Sequence, residues 1–309
     1  MSAAIEIREV SKRYGANTVV DALSLTVEPG EIYAFLGLNG AGKTTTIRMM
    51  LGMVKPTAGN IAILGTPIAA STTEVWASVG HLVETAAAYP ELTVRENLEV
   101  VRRLHRLPDR DAVARIIDRL GLGAEADRRA ATLSLGNAQR LGLAKALIHR
   151  PPVLLLDEPV NGLDPAGVVE VRHLLRDLAD EEGTTVFMSS HQLGEVARLA
   201  DRIGIIHEAR LIKEITISDL QRRSARRLVV GTRDPARAAA VIAELGYRHS
   251  TSDDGTFSIH DERAVSRPED VASALALAGA PPNRLLIEED DLETYFLELV
   301  GAPIEPSLR

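Results

Sequence analysis

Three features of the sequence predict an α/β fold with a parallel sheet at its centre. Two apolar runs, Glu31-Ile32-Tyr33-Ala34-Phe35-Leu36 and Val153-Leu154-Leu155-Leu156-Asp157, lack polar alternation, the pattern of strands covered on both faces. The first run leads into Gly37-Leu38-Asn39-Gly40-Ala41-Gly42-Lys43-Thr44-Thr45 and then into a helix-forming stretch up to Leu51, giving strand, glycine-rich loop and helix in that order. After about residue 217 the pattern changes to short strands and helices in the order βαββαβ, which predicts a separate small α+β domain.

In chain order, Ala4 to Val10 and Asp21 to Val27 alternate apolar and polar residues and read as half-buried antiparallel strands. A turn is expected from Lys12 through Gly15, and Gly59 to Gly65 reads as a further short strand. Val79 to Glu84 is a short apolar segment ending on a carboxylate. Thr93 followed by Glu96 forms a capping box that starts a helix, and a second helix is expected from about Asp109 to Leu120, stopped by Gly121. Ala138 to His149 reads as a third helix ended by Pro151-Pro152. Pro165 opens another helix, Gly183 to Ser190 is a further buried strand, and Arg202 to Ile206 with Arg210 to Ile215 closes the first domain as a hairpin. Beyond it, helices are expected at Pro235–Leu245 and Pro268–Ala278, strands at Arg227–Gly231, Tyr247–Thr251, Thr256–His260 and Arg284–Glu288, and a last helix at Asp291–Val300 with Leu292, Tyr295, Phe296 and Leu299 on one face.

The spacing G-x-x-x-x-G-K-T between strand and helix is that of a phosphate-binding loop. Gly37, Gly40 and Gly42 let backbone N–H groups approach phosphate oxygens, and the helix that follows points its positive end at the same anion. In this pattern Lys43 reaches the β- and γ-phosphates and the Thr44 hydroxyl serves Mg²⁺. Asp157, at the end of the second buried strand, is the second Mg²⁺ residue, which leaves Glu158 to orient and deprotonate an attacking water. His191 stands just past a strand end, on the edge of an α/β sheet where ligands bind. Ser134 and Gly136 sit at the start of a helix, a second position suited to an anion.

With 309 residues, two domains are expected. The absence of cysteine excludes disulfides and thiolate chemistry, and the net charge of −8 argues against broad nucleic-acid binding. No window approaches 18 consecutive apolar residues, so the chain is expected to be soluble and intracellular unless a partner holds it at a membrane.

Residues 1 to about 217 resemble the ATP-binding subunit of an ABC transporter. Gly37 to Thr44 match the phosphate loop, with Asn39 and Thr45 part of the same stretch. Leu133-Ser134-Leu135-Gly136-Asn137 is similar to the family signature, Val153 to Glu158 to the Mg²⁺-and-base strand, Gly162-Leu163-Asp164 to the loop after it, and His191 to the switch histidine. Tyr14 matches the aromatic that stacks on adenine. The resemblance implies a P-loop NTPase of ABC type: a mixed sheet core, an antiparallel β subdomain and a helical insert at about residues 85–150, within a domain of residues 1–217. Residues 218–309 then form a ferredoxin-like accessory domain. The resemblance further implies ATP and Mg²⁺ as cofactors, a second cassette clasped head to tail (a homodimer) and a separate integral membrane permease. In that dimer Ser134 and Gly136 act on the other copy's nucleotide. The chain is then peripheral, on the cytoplasmic face of the cell membrane. The competing reading is a soluble ABC-type ATPase not linked to transport.

Three residues depart from the family pattern. Glu84 stands where glutamine is usual and is expected near the metal, Leu135 replaces a signature glycine, and Asn137 replaces a glutamine. S-L-G with Glu84 resembles the branch that exports bacitracin-like and lantibiotic peptides, and the tail from Asp290 to Gly301 resembles the daunorubicin-type drug exporters.

Overall fold

Two long strands, β1 (Ile5–Tyr14) and β2 (Asn17–Val27), open the chain as an antiparallel pair in the computed structural model, which describes residues 3–68, 74–83, 88–223, 226–252 and 254–289. The sequence places a turn at Lys12, but β1 continues to Tyr14. Bulges make this possible: Glu9 and Ala22 lie at φ 49° and 48°, and the register slips beside them. Serines on the facing strands take up the freed backbone donors, with Glu9 N–H donating to Ser24 Oγ and Ala22 N–H to Ser11 Oγ, both at 2.9 Å. The polar residues from Ser11 to Arg13 therefore stay in the ladder.

Next come β3 (Ile32–Leu36), α1 (Lys43–Met50), β4 (Ala58–Ile63), β5 (Thr66–Pro67) and β6 (Val79–Leu82). Helices α2 (Val94–Leu104), α3 (Ala112–Arg119) and α4 (Leu135–Leu147) are interposed before β7 (Val153–Asp157). The capping box at Thr93 and Glu96 forms as the sequence predicts. Helix α4 begins at Leu135, three residues before the expected start, because Ser134 caps it and accepts from the Asn137 N–H at 3.2 Å. Then follow α5 (Pro165–Glu182), β8 (Thr185–Ser190), α6 (Leu193–Ala197), β9 (Arg202–His207) and β10 (Arg210–Thr216).

These elements form the first of two compact units, Met1–Ile217. Its four-stranded antiparallel sheet has the order β2-β1-β4-β5, and its six-stranded sheet the order β10-β9-β3-β8-β7-β6. All neighbours in the larger sheet are parallel except the hairpin of β9 and β10. Every residue of β3, β7 and β8 is buried; β3 and all of β7 but its last residue are apolar, while β8 buries Thr185, Ser189 and Ser190 as well. The core lies where Val10, Val20 and Leu23 of the antiparallel sheet join Ile47 and Met50 of α1 and Phe35 and Phe187 of the parallel one. Phe187 stacks on Tyr33 with ring centroids 5.5 Å apart and planes 6° from parallel. The outcome is a mixed sheet core with an antiparallel β subdomain and a helical insert.

The second unit, Ser218–Arg309, contains most of α7 (Ile217–Arg223) and continues with β11 (Arg226–Thr232), α8 (Pro235–Glu244), β12 (His249–Thr251), β13 (Phe257–Ile259), α9 (Glu262–Ser266), α10 (Pro268–Leu277) and β14 (Pro282–Glu289). Its sheet has the order β12-β13-β11-β14 with every neighbour antiparallel. Leu228, Val230, Phe257 and Ile259 pack there against Ala238, Ile242, Val271 and Leu275. The short α9 is absent from the sequence reading; Asp261 caps it by accepting from the Arg263 N–H at 2.9 Å. The helix expected at Asp291–Val300 lies outside the described residues.

Because Phe187 is fully buried and touches both Tyr33 and Phe35, Phe187→Ala should destabilise the first unit by about 3–5 kcal/mol. Urea unfolding checks this; a loss below about 1 kcal/mol would mean that neighbours collapse into the cavity and that the stack is not the keystone of the sheet.

Candidate active site

Strand β3 hands the chain to a loop that only glycine fits at two points. A Cβ on Gly37 would stand 2.6 Å from the Ile206 carbonyl oxygen, and one on Gly42 would stand 2.5 Å from that of Val19. Gly42 also lies at φ 109° as the N-cap of α1. The loop thus closes against β9 on one side and β2 on the other. Lys43 is buried beneath it; its ammonium donates to the Gly37 carbonyl at 2.8 Å and lies 3.6 Å from Glu158 Oε1. Asn39 and Gly40 stay exposed, and Thr44 and Thr45 are half-buried in the first turn of α1.

Thr44 Oγ1 donates to Asp157 Oδ2 at 2.7 Å, and Ser189 Oγ donates to Asp157 Oδ1 at 2.5 Å. Asp157 is 3% exposed, so both of its oxygens depend on these hydroxyls. The next residue, Glu158, adopts φ 51°, a left-handed conformation rare for glutamate. Its backbone N–H donates to both the carbonyl and the hydroxyl of Ser189, at 3.2 and 3.1 Å. Its carboxylate stands between Lys43 and His191, whose Nδ1 is 2.9 Å from Oε2. An aspartate and a glutamate at a strand end thus point into one space with a lysine, a threonine and a histidine.

Two participants are missing from the sequence reading. Ser189 is one. Gln139 on α4 is the other: its buried amide donates to the carbonyls of Glu158 and Pro159, both at 3.1 Å, and so fixes the turn that displays Glu158. Polar residues inside a buried strand or on the inner face of a helix were the cue in both cases.

Ser134, Gly136 and Asp164 form a separate group. Ser134 caps α4, and Asp164 caps α5 by accepting from the Gly167 N–H at 2.9 Å. Leu135 packs on Gly162, where an added Cβ would fall 2.4 Å from Leu135 Cδ2, so the start of α4 and the loop before α5 share one surface. No hydrogen bond or ion pair joins this group to the phosphate loop among the described residues, and Ser134, Leu135 and Asp164 are exposed. Tyr14 ends β1 with its ring half exposed and Lys12 Nζ 4.8 Å from the ring centroid. Glu84 lies outside the described residues.

The glycine loop, the buried Lys43 and the N-terminus of α1 make a cradle for a polyphosphate. Thr44 and Asp157 offer a hydroxyl and a carboxylate, hard oxygen donors suited to Mg²⁺, which takes few protein ligands and completes its shell with phosphate and water. Glu158, braced by His191, presents a second carboxylate to the same space. Fold and site together define an ATP-hydrolysing P-loop cassette.

Comparison with known proteins narrows this class. Residues 20–161 match the family described as ABC transporter. The chain is 38% identical to the bacitracin transport ATP-binding protein BcrA of Bacillus licheniformis, over 97% of this chain and 98% of the relative. It is 35% identical to the daunorubicin resistance ATP-binding protein DrrA3 of Streptomyces coeruleorubidus, over 96% of each. Among solved structures, an ATP-binding subunit of an ABC transporter superimposes with a TM-score of 0.66 at 28% identity, covering 71% of this chain and 92% of the other. The chain belongs to the ABC transporter family as an ATP-binding subunit, in the branch that holds the bacitracin and daunorubicin-resistance subunits.

Removing the Gln139 amide takes a donor from the carbonyls of Glu158 and Pro159, of which the first keeps the Asn161 N–H, and loosens the Glu158 turn. Gln139→Leu should therefore lower the ATPase kcat about tenfold or more while leaving nucleotide affinity within about twofold. Steady-state kinetics beside equilibrium nucleotide titration check this; an unchanged kcat would remove Gln139 from the positioning of the base.

Proposed function

We propose that this chain is the motor subunit of an exporter that moves a drug, antibiotic or peptide through a separately encoded integral membrane permease. The reading is supported by the transport and resistance roles carried in the names of its relatives. Residues 1–217 act as the cassette and residues 218–309 as a ferredoxin-like accessory domain. The chain works at the cytoplasmic face of the membrane, paired with a second cassette, in the simplest case another copy of itself. Among the described residues no helix is long and apolar enough to cross a membrane, in keeping with a permease on another chain.

The observation that carries the catalytic reading is the continuous set of contacts from Lys43 through Glu158 to His191, beside that from Thr44 through Asp157 to Ser189. Lys43 sets a positive charge under the β- and γ-phosphates. Thr44 and Asp157 would hold Mg²⁺, which would supply positive charge to offset that of the phosphates. Glu158 takes the proton of the attacking water, and the His191 Nδ1–H keeps the carboxylate aimed. Gly37, Asn39, Gly40, Gly42 and Thr45 line the phosphates, and Tyr14 stacks on the base. Ser134 and Asp164, exposed at the starts of two helices, and the half-buried Gly136 face the nucleotide of the second copy.

Two variants test this. Lys43→Ala should weaken ATP binding and bring hydrolysis near background, and unchanged turnover would sink the loop assignment. Glu158→Gln should keep ATP bound, stall hydrolysis and accumulate a dimer on size-exclusion chromatography. Normal hydrolysis by that variant would move the base elsewhere, to His191 first.

A further inference from the structure

The sheet of the second unit ends differently on its two sides. β12 at one edge is short, three residues with polar side chains. β14 at the other edge has eight residues, and among the described residues it has β11 on one side and no strand on the other. An edge strand offers a row of N–H and C=O groups to another strand, which is why edges are commonly kept short, charged or interrupted. Pro282 blunts only the start of β14; its centre is the apolar run Leu285-Leu286-Ile287, with Ile287 45% exposed.

The register with β11 sets the faces of this strand. Leu285 and Ile287 lie opposite Val230 and Leu228, on the face that packs against the helices. Arg284, Leu286 and Glu288 lie opposite Gly231, Val229 and Arg227, on the other face. Arg284 donates to Glu288 Oε1 at 3.1 Å, and Arg227 donates to Glu288 Oε2 at 3.0 Å. The strand therefore carries a positive charge two places before Leu286 and a negative one two places after it, on the same face, with Leu285 and Ile287 between them on the opposite face.

We propose that β14 pairs antiparallel with β14 of a second copy of this chain, about a two-fold axis at Leu286, so that the two four-stranded sheets join edge to edge. In an antiparallel pair, residues directly opposite share a face, and two-fold symmetry sets residues equally far from the axis opposite each other. With the axis at Leu286, that residue meets itself, Leu285 meets Ile287, and Arg284 meets Glu288. An axis at Leu285 would set Arg284 against Leu286, and one at Ile287 would set Leu286 against Glu288. One register alone therefore matches apolar with apolar and cation with anion. Such self-complementarity selects a second copy over an unrelated strand. The inference deepens the homodimer part of the reading above by naming a contact that needs no nucleotide. A single strand-to-strand contact is small, with affinity on the order of micromolar, so it acts as a tether that keeps two cassettes at high local concentration.

Sedimentation equilibrium of the full-length chain without nucleotide should show a reversible monomer–dimer equilibrium. Arg284→Glu places glutamate opposite glutamate and Glu288→Arg places arginine opposite arginine, so each should weaken the dimer about tenfold or more. An equimolar mixture of the two variants should associate as the wild type does, because each strand of one sign then meets one of the other; a role for these charges within one chain cannot produce that recovery. A cysteine provides a second measurement should the charge variants unfold. The chain has none of its own, and residues directly opposite in an antiparallel pair have Cα atoms about 4.5–5.5 Å apart, within disulfide reach. Leu286→Cys should therefore form a disulfide between copies under mild oxidation, whereas Ser250→Cys, exposed on the other edge, should not. A chain that stays monomeric at concentrations on the order of 100 µM, a mixture that does not recover, or equal crosslinking at both positions overturns the proposal. Adding ATP to the Glu158→Gln variant separates the two levels. A dimer that forms there, without association of the nucleotide-free chain, refutes the edge pairing alone; no dimer in either state refutes the homodimer reading beneath it.

Discussion

Asp157 sits at the end of a strand buried on both faces, where an unpartnered carboxylate would cost several kcal/mol. Two hydroxyls answer it, one from the helix that follows β3 and one from β8. Those donors come from its neighbours in space, not in sequence, because the sheet places β3 beside β8 and β8 beside β7. The parallel register aligns Leu36 with Ser190 and Asp157 with Ser189, so the three strand ends finish at one level. The phosphate loop, the acidic strand end and the residues after β8 can meet only while that alignment holds. Packing of Phe187 between Tyr33 and Phe35 secures the same three-strand segment from within.

Glu158 shows how the frame is used. A left-handed backbone costs a non-glycine residue on the order of 1 kcal/mol, and it persists here because both ends of the residue are held. Its N–H is fixed by Ser189 and its carbonyl by Gln139. The side chain is left to divide between an ammonium and an imidazole. Strain at this one residue turns the carboxylate toward the phosphate loop instead of along the strand.

The sequence disclosed what is written locally. Strand, glycines and lysine follow one another in twelve consecutive positions from Ile32 to Lys43, so the loop and its chemistry were legible, as was the acidic end of a run of leucines. The change from long buried runs to short strands and helices near residue 217 was visible in the periodicities, whereas α9, between β13 and α10, was not. Ser189 and Gln139 were not, because their importance depends on strands and helices meeting far apart in sequence. The extension of β1 to Tyr14 was missed for a related reason: bulges repaired by Ser11 and Ser24 allow a polar stretch to stay paired, and a period-two reading has no term for them. The start of α4 was misplaced because Leu135-Gly136-Asn137 looks like loop until Ser134 is recognised as its cap.

Helix α4 gives these observations a common axis. Its 13 residues span about 20 Å as one rigid rod. Ser134 and Gly136 stand at its start, Gln139 one turn further along, and Lys145 near its end with His149 just beyond. The helix therefore touches the surface shared with Gly162 and Leu163, the turn that displays Glu158, and β6 and α2. Gly80 on β6 permits this closeness, since a Cβ there would stand 2.2 Å from the Ala146 carbonyl. A movement of the C-terminal end of α4 cannot leave its start in place unless the helix bends, and nothing in Leu135–Leu147 invites a bend: it contains no proline, and its interior Gly142 is buried. The two ends of α4 are thus joined by one stiff element, on which Gln139 holds the turn that displays Glu158.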